Sequence, residues 1–288
     1  MTSNARIIRL LFGACLALSP RAIAASTPRP LDYLRHLERL QRRLPSGFHA
    51  LVQPPFIVVG NETPELLGMR ARRTVAWAVA KLRDAYGFAR VPRRILEIWL
   101  LKDAATYRHH ARRLTGERPS TPYGFYSPSA GALIMNISTG GGTLVHEIVH
   151  PLIEANFPDC PPWFNEGLGS LYEQAAERDG QIVGLPNWRL PGLQQALRRG
   201  EVPAFRRLMA MNGFEFYQRD RGTNYGQARY LLYYLQQRGL LRRYYQRFRA
   251  QHRRDPSGYR TLLEVLGVRK PNAFRRHWEA YVLALRYR

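Results

Sequence analysis

The chain has 288 residues, 45% of them hydrophobic, which is enough for one large domain or two small ones and excludes a disordered polypeptide. Its 44 Lys+Arg against 21 Asp+Glu give a formal net charge of +23, a balance that suits an anionic partner such as nucleic acid, a lipid surface or an acidic wall polymer. The basic residues are almost all Arg and are scattered over the whole sequence, which is typical of solvated helix faces. This scatter argues against nucleic acid as the partner. An anionic polymer of the cell envelope remains a possible partner.

Residues 1–25 have the features of a signal peptide. Arg6 and Arg9 precede an apolar stretch, Leu10 to Leu18, and Ala-Ile-Ala at 22–24 offers small residues for cleavage. An uncleaved membrane anchor is the alternative, but the apolar stretch is far shorter than the roughly 20 residues that span a bilayer. We therefore expect export to the periplasm or the medium, with envelope association left open and no membrane span in the mature chain. Cys160 is then the only mature cysteine, so no internal disulfide forms.

The first half of the mature chain alternates between predicted helices and strands. Leucines at helical spacing predict an amphipathic helix over 31–44 that packs on the next elements of the chain. A short apolar run predicts a buried strand at 56–60. Thr63, Pro64 and Glu65 then supply an N-cap, a first-turn proline and a first-turn acid, which predicts a helix ending at Gly87. The pattern continues with a strand over 94–101, a helix over 103–114, and strands near 123–127 and 132–137.

From Gly140 onward the pattern is mainly helical. We therefore predict an α+β fold in which a small mixed sheet packs on the helix of residues 143–150, followed by a mainly helical C-terminal half. The divide is expected near Pro158 to Pro162. This gives an N-terminal half over residues 26–160 and a helical half over residues 161–288.

Residues 143–150 read Thr-Leu-Val-His-Glu-Ile-Val-His. On a helix, His146 and His150 lie one turn apart on the same face, so both imidazoles can reach one ion, and Glu147 can reach a water beside it. Apolar residues cover the rest of this helix, where two histidines are costly unless a metal or hydrogen bonds satisfy them. A match of this kind arises by chance with odds on the order of 1%. The motif alone therefore does not exclude that His146 and His150 are simply two histidines buried in the core.

The second part of the pattern lies at 163–173, which reads Trp-Phe-Asn-Glu-Gly-Leu-Gly-Ser-Leu-Tyr-Glu. It places the carboxylate of Glu166 at the start of the next helix, where we expect Asn165 to act as the cap. Two His and one Glu form a known catalytic zinc set that leaves a fourth position for water. Glu173, seven residues further, is predicted to form a surface salt bridge, with a supporting role next to the metal ligands as the alternative.

These two segments resemble the gluzincin clan of zinc metallopeptidases, and the stretch from about Ile95 to Tyr234 resembles bacterial peptidase-MA-like domains. The resemblance implies one Zn²⁺ per chain held by His146, His150 and Glu166, with Glu147 as the general base of a peptide hydrolysis. The connection from His150 to Glu166 is shorter than in the well-studied members. The Gly-x-Met-Glu-Asn segment of the gluzincin aminopeptidases is absent, which favours an endopeptidase.

Other residues have lesser predicted roles. Tyr225 is the best candidate for a donor to the oxyanion, although Tyr225, Tyr230, Tyr233 and Tyr234 together also fit an ordinary packing face. The strand over 132–137 is predicted to be an edge strand to which a peptide substrate could add. His109 and His110 are predicted to be solvated, and Cys160 to be a small buried hydrophobe.

The sequence thus predicts an exported zinc metallopeptidase acting on a peptide or protein. The alternative is a metal-stabilised, non-catalytic envelope protein that binds an anionic polymer through its basic surface. Glu147 favours the enzyme, because a structural zinc site needs no base and usually has four protein ligands. Hydrolysis of a non-protein amide by the same residues is a third interpretation that the sequence does not separate from the first.

Overall fold

The computed structural model describes residues 27–218 and 223–287, and the predicted signal peptide, 1–25, lies outside them. The helices are α1 (Pro30–Gln41), α2 (Pro64–Arg70), a π-helical turn (Ala71–Ala76), α3 (Trp77–Tyr86), α4 (Ala104–Thr115), a 3-10 turn (Ile137–Thr139), α5 (Gly142–Asn156), α6 (Pro162–Leu171), α7 (Arg189–Arg198), α8 (Phe205–Met209), α9 (Gly213–Gln218), α10 (Asn224–Gln237), α11 (Leu241–Gln251), α12 (Tyr259–Leu266) and α13 (Pro271–Ala284). The strands are β1 (His49–Gln53), β2 (Phe56–Gly60), β3 (Leu96–Leu101), β4 (Gly124–Ser127), β5 (Ala132–Asn136), β6 (Ala175–Arg178) and β7 (Gln181–Gly184). None of the helices in these ranges combines the length and apolar character needed to cross a bilayer.

Five strands form a mixed sheet in the order β1-β2-β3-β5-β4. The three inner strands are parallel, and the two outer strands pair antiparallel to their neighbours. Strands β2 and β5 are buried at every residue, as expected where helices cover both faces of a sheet. Phe56 and Val58 point into the larger core with α3 and α5, whereas Ile57 and Val59 point into a smaller core with α1 and α4.

The edge strand differs from the prediction. The segment predicted at 132–137 forms β5, which lies between β3 and β4, so its assignment as an edge was wrong. Its residues Ala-Leu-Ile-Met-Asn are all buried and suit an inner position. The edge next to α5 is β4, which is only partly buried.

Of the two predictions about the first helices, only the one for α1 was partly wrong. Thr63 caps α2 through its Oγ1, which accepts a hydrogen bond from the N–H of Leu66, and Gly87 ends α3 with a left-handed φ of 67°, both as predicted. Leu31 and Leu34 of α1, however, are about half exposed, because α1 turns Tyr33 and Leu40 to the core instead.

His110 is not solvated, in contrast to the prediction. It is 7% exposed, and its ring lies 4.7 Å from that of Phe48 and 6.2 Å from that of Trp99. The reason is that α4 packs on the sheet with the face that carries Tyr107 and His110. Burial lowers the pKa of His110, while its neighbour His109 is exposed as predicted.

The C-terminal part is helical apart from the β6–β7 hairpin, so the predicted α+β class with a helical second half is confirmed. The central helix is α10, which is buried along most of its length and packs on α6. One continuous core joins residues of the sheet, such as Phe56, to residues of the helical part, such as Phe164 and Trp278. Helix α6 is therefore fixed between α5 and α10.

Arg229 of α10 is fully buried and donates hydrogen bonds to the carbonyl oxygens of Ser170 and Leu185. Its guanidinium thereby joins the end of α6 to the chain after β7. Arg229→Lys is expected to lower the free energy of unfolding by about 3 kcal/mol, because the single nitrogen of an ammonium cannot reach both carbonyl oxygens as the two ends of the guanidinium fork do. Urea unfolding of the metal-free protein measures this, with the exposed Arg238→Lys as a control that changes stability by about 0.5 kcal/mol or less. Equal losses in the two variants would contradict the bridging role.

Candidate metal centre

Helix α5 carries both predicted histidine ligands on one face, and α6 brings Glu166 to them. The imidazole rings of His146 and His150 lie 4.9 Å apart. Oε2 of Glu166 is 3.2 Å from Nε2 of His146 and 3.9 Å from Nε2 of His150. One ligand atom from each residue lies within 4.8 Å of the others. The structure therefore brings the three predicted ligands together, with His146 and Glu166 almost fully buried.

Asn165 has a different role from the predicted helix cap. Helix α6 begins three residues earlier, at Pro162, because a proline at the first helical position is already set for helical φ. Asn165 lies inside the helix, and its Oδ1 is 3.1 Å from Nδ1 of His150. With its amide oxygen accepting from that ring nitrogen, the other ring nitrogen turns its lone pair toward Glu166.

Glu173 contacts the other histidine, and its salt bridge with Arg189 is largely buried, so its predicted surface position was wrong. Its Oε1 lies 3.1 Å from Nδ1 of His146. The same carboxylate accepts two hydrogen bonds from Arg189, at 2.6 and 2.9 Å, and one from Asn187, at 3.0 Å. Such a carboxylate fixes the orientation of the imidazole and directs Nε2 to the ligand cluster.

Glu147 lies beside the cluster and is held by the sheet. Its Oε2 accepts a hydrogen bond of 2.9 Å from the backbone N–H of Tyr126 in β4, and the same oxygen is 3.8 Å from Nε2 of His150. The side chain is nearly buried but lines the cleft. The edge strand thus fixes the position of the carboxylate that the sequence suggested as a base.

The charges of the cluster are strongly coupled. Burial alone would lower the pKa of His146, but hydrogen bonds to Glu166 and Glu173 raise it to about 10. Burial would raise the pKa of Glu166, but the charge of His150 and the hydrogen bond of His146 lower it to about 2. A metal ion that binds here must displace a proton from this pair, as is usual when histidine becomes a ligand.

The chemistry of the donors fits a zinc-type ion. Two imidazole nitrogens and one carboxylate oxygen are ligands that Zn²⁺ prefers, and tetrahedral bonds of about 2.0–2.2 Å would place neighbouring donors roughly 3.3 Å apart. The 3.2 Å separation of Glu166 from His146 matches this value, whereas the 3.9 Å separation from His150 is wider, so these two donors would move closer together to share one ion. Three carboxylates, Glu147, Glu166 and Glu173, meet here, and a divalent cation would offset their charge.

The cluster lies in a cleft of about 1010 Å³. Tyr225 lines this cleft, and its ring is 5.0 Å from the guanidinium of Arg189. Burial raises the pKa of Tyr225. Tyr230, Tyr233 and Tyr234 are buried in the predicted packing face, and Tyr225 packs against the same core while remaining partly exposed to the cleft.

Sequence reasoning missed three residues of the cleft: Tyr217, Trp188 and Arg189. Tyr217 donates a hydrogen bond of 2.9 Å to Oε1 of Glu166, and Trp188 is 56% exposed under the guanidinium of Arg189. No local pattern marks Tyr217 and Arg189 because their carboxylate partners lie 51 and 16 residues away in the chain. Cys160 also lines the cleft, where burial raises its pKa well above the usual range, so its thiol stays protonated and unreactive.

Two glycines allow α6 to approach its neighbours. A Cβ at Gly167 would lie 3.1 Å from the Cβ of Ala228 in α10, and a Cβ at Gly169 would lie 2.9 Å from Nε2 of His146. Both distances are shorter than ordinary contacts, so these positions require glycine for close packing. Gly167 therefore allows the close approach of α6 to α10, and Gly169 allows its close approach to the histidine helix α5.

Gly169→Ala is expected to weaken zinc binding by at least about tenfold, because the added methyl group displaces the His146 ring from its position. A chelator competition titration measures the affinity. The matched control is Gly192→Ala in α7, where the added Cβ meets nothing within 4 Å. The control is expected to bind zinc like the wild type and to gain up to about 1 kcal/mol of stability. Unchanged affinity in Gly169→Ala would contradict this account.

No protein-family model matches the chain, and no curated protein matches it. The proposed function therefore rests on the residues and geometry of the cleft.

Proposed function

We propose that the protein is an exported zinc-dependent endopeptidase of the gluzincin type. The observation that carries the proposal is the position of the Glu147 carboxylate beside the cluster of His146, His150 and Glu166, inside a cleft. A buried base next to a two-histidine, one-carboxylate set is an arrangement for hydrolysis, whereas a structural site usually has a fourth protein ligand.

His146, His150 and Glu166 would hold the metal, with Glu173 and Asn165 orienting the two imidazoles. When bound, zinc acidifies a water and polarises a carbonyl group. The remaining chemistry belongs to the side chains of the cleft.

Glu147 is the proton carrier in this proposal. Its Oε2 is held by the N–H of Tyr126, which leaves Oε1 to meet a water in the cleft. The carboxylate takes a proton from that water as the carbonyl carbon is attacked, and then delivers it to the nitrogen of the leaving amine. The tether to β4 keeps the carboxylate in one position for both transfers.

The substrate lies along β4 in this proposal. This strand is at the edge of the sheet, contacts α5 and lines the cleft through Gly124, Phe125 and Tyr126. An extended peptide could add to such an edge by backbone hydrogen bonds. Its scissile carbonyl oxygen would then face the wall that carries Tyr225, whose hydroxyl is the candidate donor to the developing oxyanion.

The test uses protein that begins at residue 26, reconstituted with zinc and freed of excess metal. We expect about one zinc per chain by elemental analysis and internal cleavage of peptides whose amino termini are acetylated, read by mass spectrometry. A chelator should remove the activity, and added zinc should restore it. Bound zinc without cleavage of any peptide would overturn the peptidase proposal, and cleavage only of unblocked peptides would overturn the endopeptidase part.

A further inference from the structure

The two carboxylate oxygens of Glu166 have different partners. Oε2 faces the histidines, at 3.2 Å from His146 and 3.9 Å from His150. Oε1 accepts a hydrogen bond of 2.9 Å from the hydroxyl of Tyr217, which is 51 residues away in the sequence. The carboxylate is almost fully buried, so this hydroxyl takes the place of water at Oε1.

We propose that Tyr217 is a positioning residue of the metal centre, which occupies Oε1 of Glu166 so that only Oε2 faces the ion. The inference rests on the proposed metal site and does not depend on peptide hydrolysis. No local feature of the sequence marks Tyr217, which lies on the short helix α9 and lines the same cleft.

The physical reason lies in the freedom of a glutamate side chain. Its terminal torsion is broad, so an unrestrained carboxylate can rotate and offer one or both oxygens to an ion. A hydrogen bond to one oxygen favours binding through the other. Coordination by a single oxygen keeps a position of the ion open, as a catalytic zinc site requires.

Tyr217 and Tyr225 form a natural pair for comparison. Their rings lie 6.5 Å apart, and both line the cleft. The hydroxyl of Tyr217 is bonded to Glu166, whereas the ring of Tyr225 contacts Phe216 and the guanidinium of Arg189. Replacing either tyrosine with phenylalanine removes one hydroxyl from the same wall, but only one of these hydroxyls touches a proposed ligand.

The different contacts of Tyr217 and Tyr225 also separate their proposed roles. A phenol has one proton to donate, and that of Tyr217 is directed to Glu166. While this bond holds, Tyr217 cannot donate to a substrate carbonyl, which leaves that role to Tyr225. The prediction of Tyr225 from the sequence and the contact of Tyr217 in the structure are therefore compatible.

The experiment compares Tyr217→Phe with Tyr225→Phe in two readouts that need no substrate. The first is the zinc dissociation constant, from competition with a chromophoric chelator. The second is the visible absorption spectrum of the cobalt-substituted protein, which reports the ligand geometry. Tyr217→Phe is expected to bind zinc about 10- to 100-fold more weakly and to alter the cobalt spectrum. Tyr225→Phe is expected to match the wild type in both.

Tyr217 is 44% exposed, so its replacement should leave the fold intact, which the unfolding temperature of the metal-free variant verifies. A wild-type affinity and spectrum in Tyr217→Phe, or equal losses in both variants, would overturn the inference. Wild-type protein that binds zinc but cleaves no peptide would overturn the proposed function alone. Wild-type protein that binds neither zinc nor cobalt would overturn both proposals.

Discussion

Replacing Glu147 with glutamine is expected to reduce the rate of peptide cleavage by about 10²- to 10⁴-fold, which is the usual contribution of a general base. The variant is expected to retain one zinc per chain. Glutamine has nearly the same shape and can still accept the hydrogen bond from the N–H of Tyr126, but its amide cannot carry a proton at neutral pH. The measurement is kcat/KM on a peptide found to be cleaved, together with elemental analysis of the same preparation.

The matched control for this variant is Glu154→Gln. Glu154 lies on the same helix and also contacts the same strand residue, since its Oε2 accepts a hydrogen bond of 3.1 Å from the hydroxyl of Tyr126. Within residues 27–218 and 223–287 no hydrogen bond or ion pair joins Glu154 to the proposed ligands, so this control, which lines the same cleft, should keep most of the turnover. Full activity in Glu147→Gln would exclude Glu147 as the base, and loss of zinc would make Glu147 a ligand.

The second large effect is expected for Glu166→Gln, which should lose stoichiometric zinc and with it all activity. The amide retains the shape of the side chain and an acceptor for Tyr217, but it removes the negative charge that a zinc ligand supplies. Elemental analysis after reconstitution and desalting measures the loss. Thermal unfolding gives an independent readout, because zinc at about 100 times its dissociation constant stabilises the wild type by roughly 2.7 kcal/mol.

Glu97→Gln is the control for the second variant. Glu97 is also a partly buried carboxylate paired with a histidine, at 2.7 Å from Nε2 of His36, but it lies on β3 away from the cluster. We expect this control to retain one zinc and the zinc-dependent rise in unfolding temperature. Wild-type zinc affinity in Glu166→Gln would remove Glu166 from the ligand set and leave the proposed metal site without its third ligand.

Contacts between near neighbours in the chain could be predicted from the sequence. The i, i+4 spacing puts His146 and His150 on one face of α5, and Thr63 and Gly87 mark the first and last turns of the long helical segment. The change from strand-containing segments early in the chain to helices after Gly140 predicted the α+β class, which the structure confirms. These features follow from backbone geometry and side-chain spacing within a few residues, and such information is present in any short stretch of sequence.

The surroundings of the cluster were decided by tertiary structure. Which strand is the edge depends on how β5 inserts between β3 and β4, and the burial of His110 depends on the face that α4 turns to the sheet. The local motif predicted a helix cap for Asn165 and a surface position for Glu173, but both contact the histidines of α5.

Spacing within short segments of the sequence thus marked the four residues proposed for the chemistry: His146, Glu147 and His150 form one local motif, and Glu166 belongs to a second segment that the family resemblance linked to the first. Tertiary structure alone decided what holds them: Tyr126 on Glu147, Tyr217 on Glu166, and the pair of Glu173 and Arg189 behind His146. The physical reason is that these supporting hydrogen bonds join residues 16 to 51 positions apart, whose directions are set only when α5, α6 and the sheet pack together.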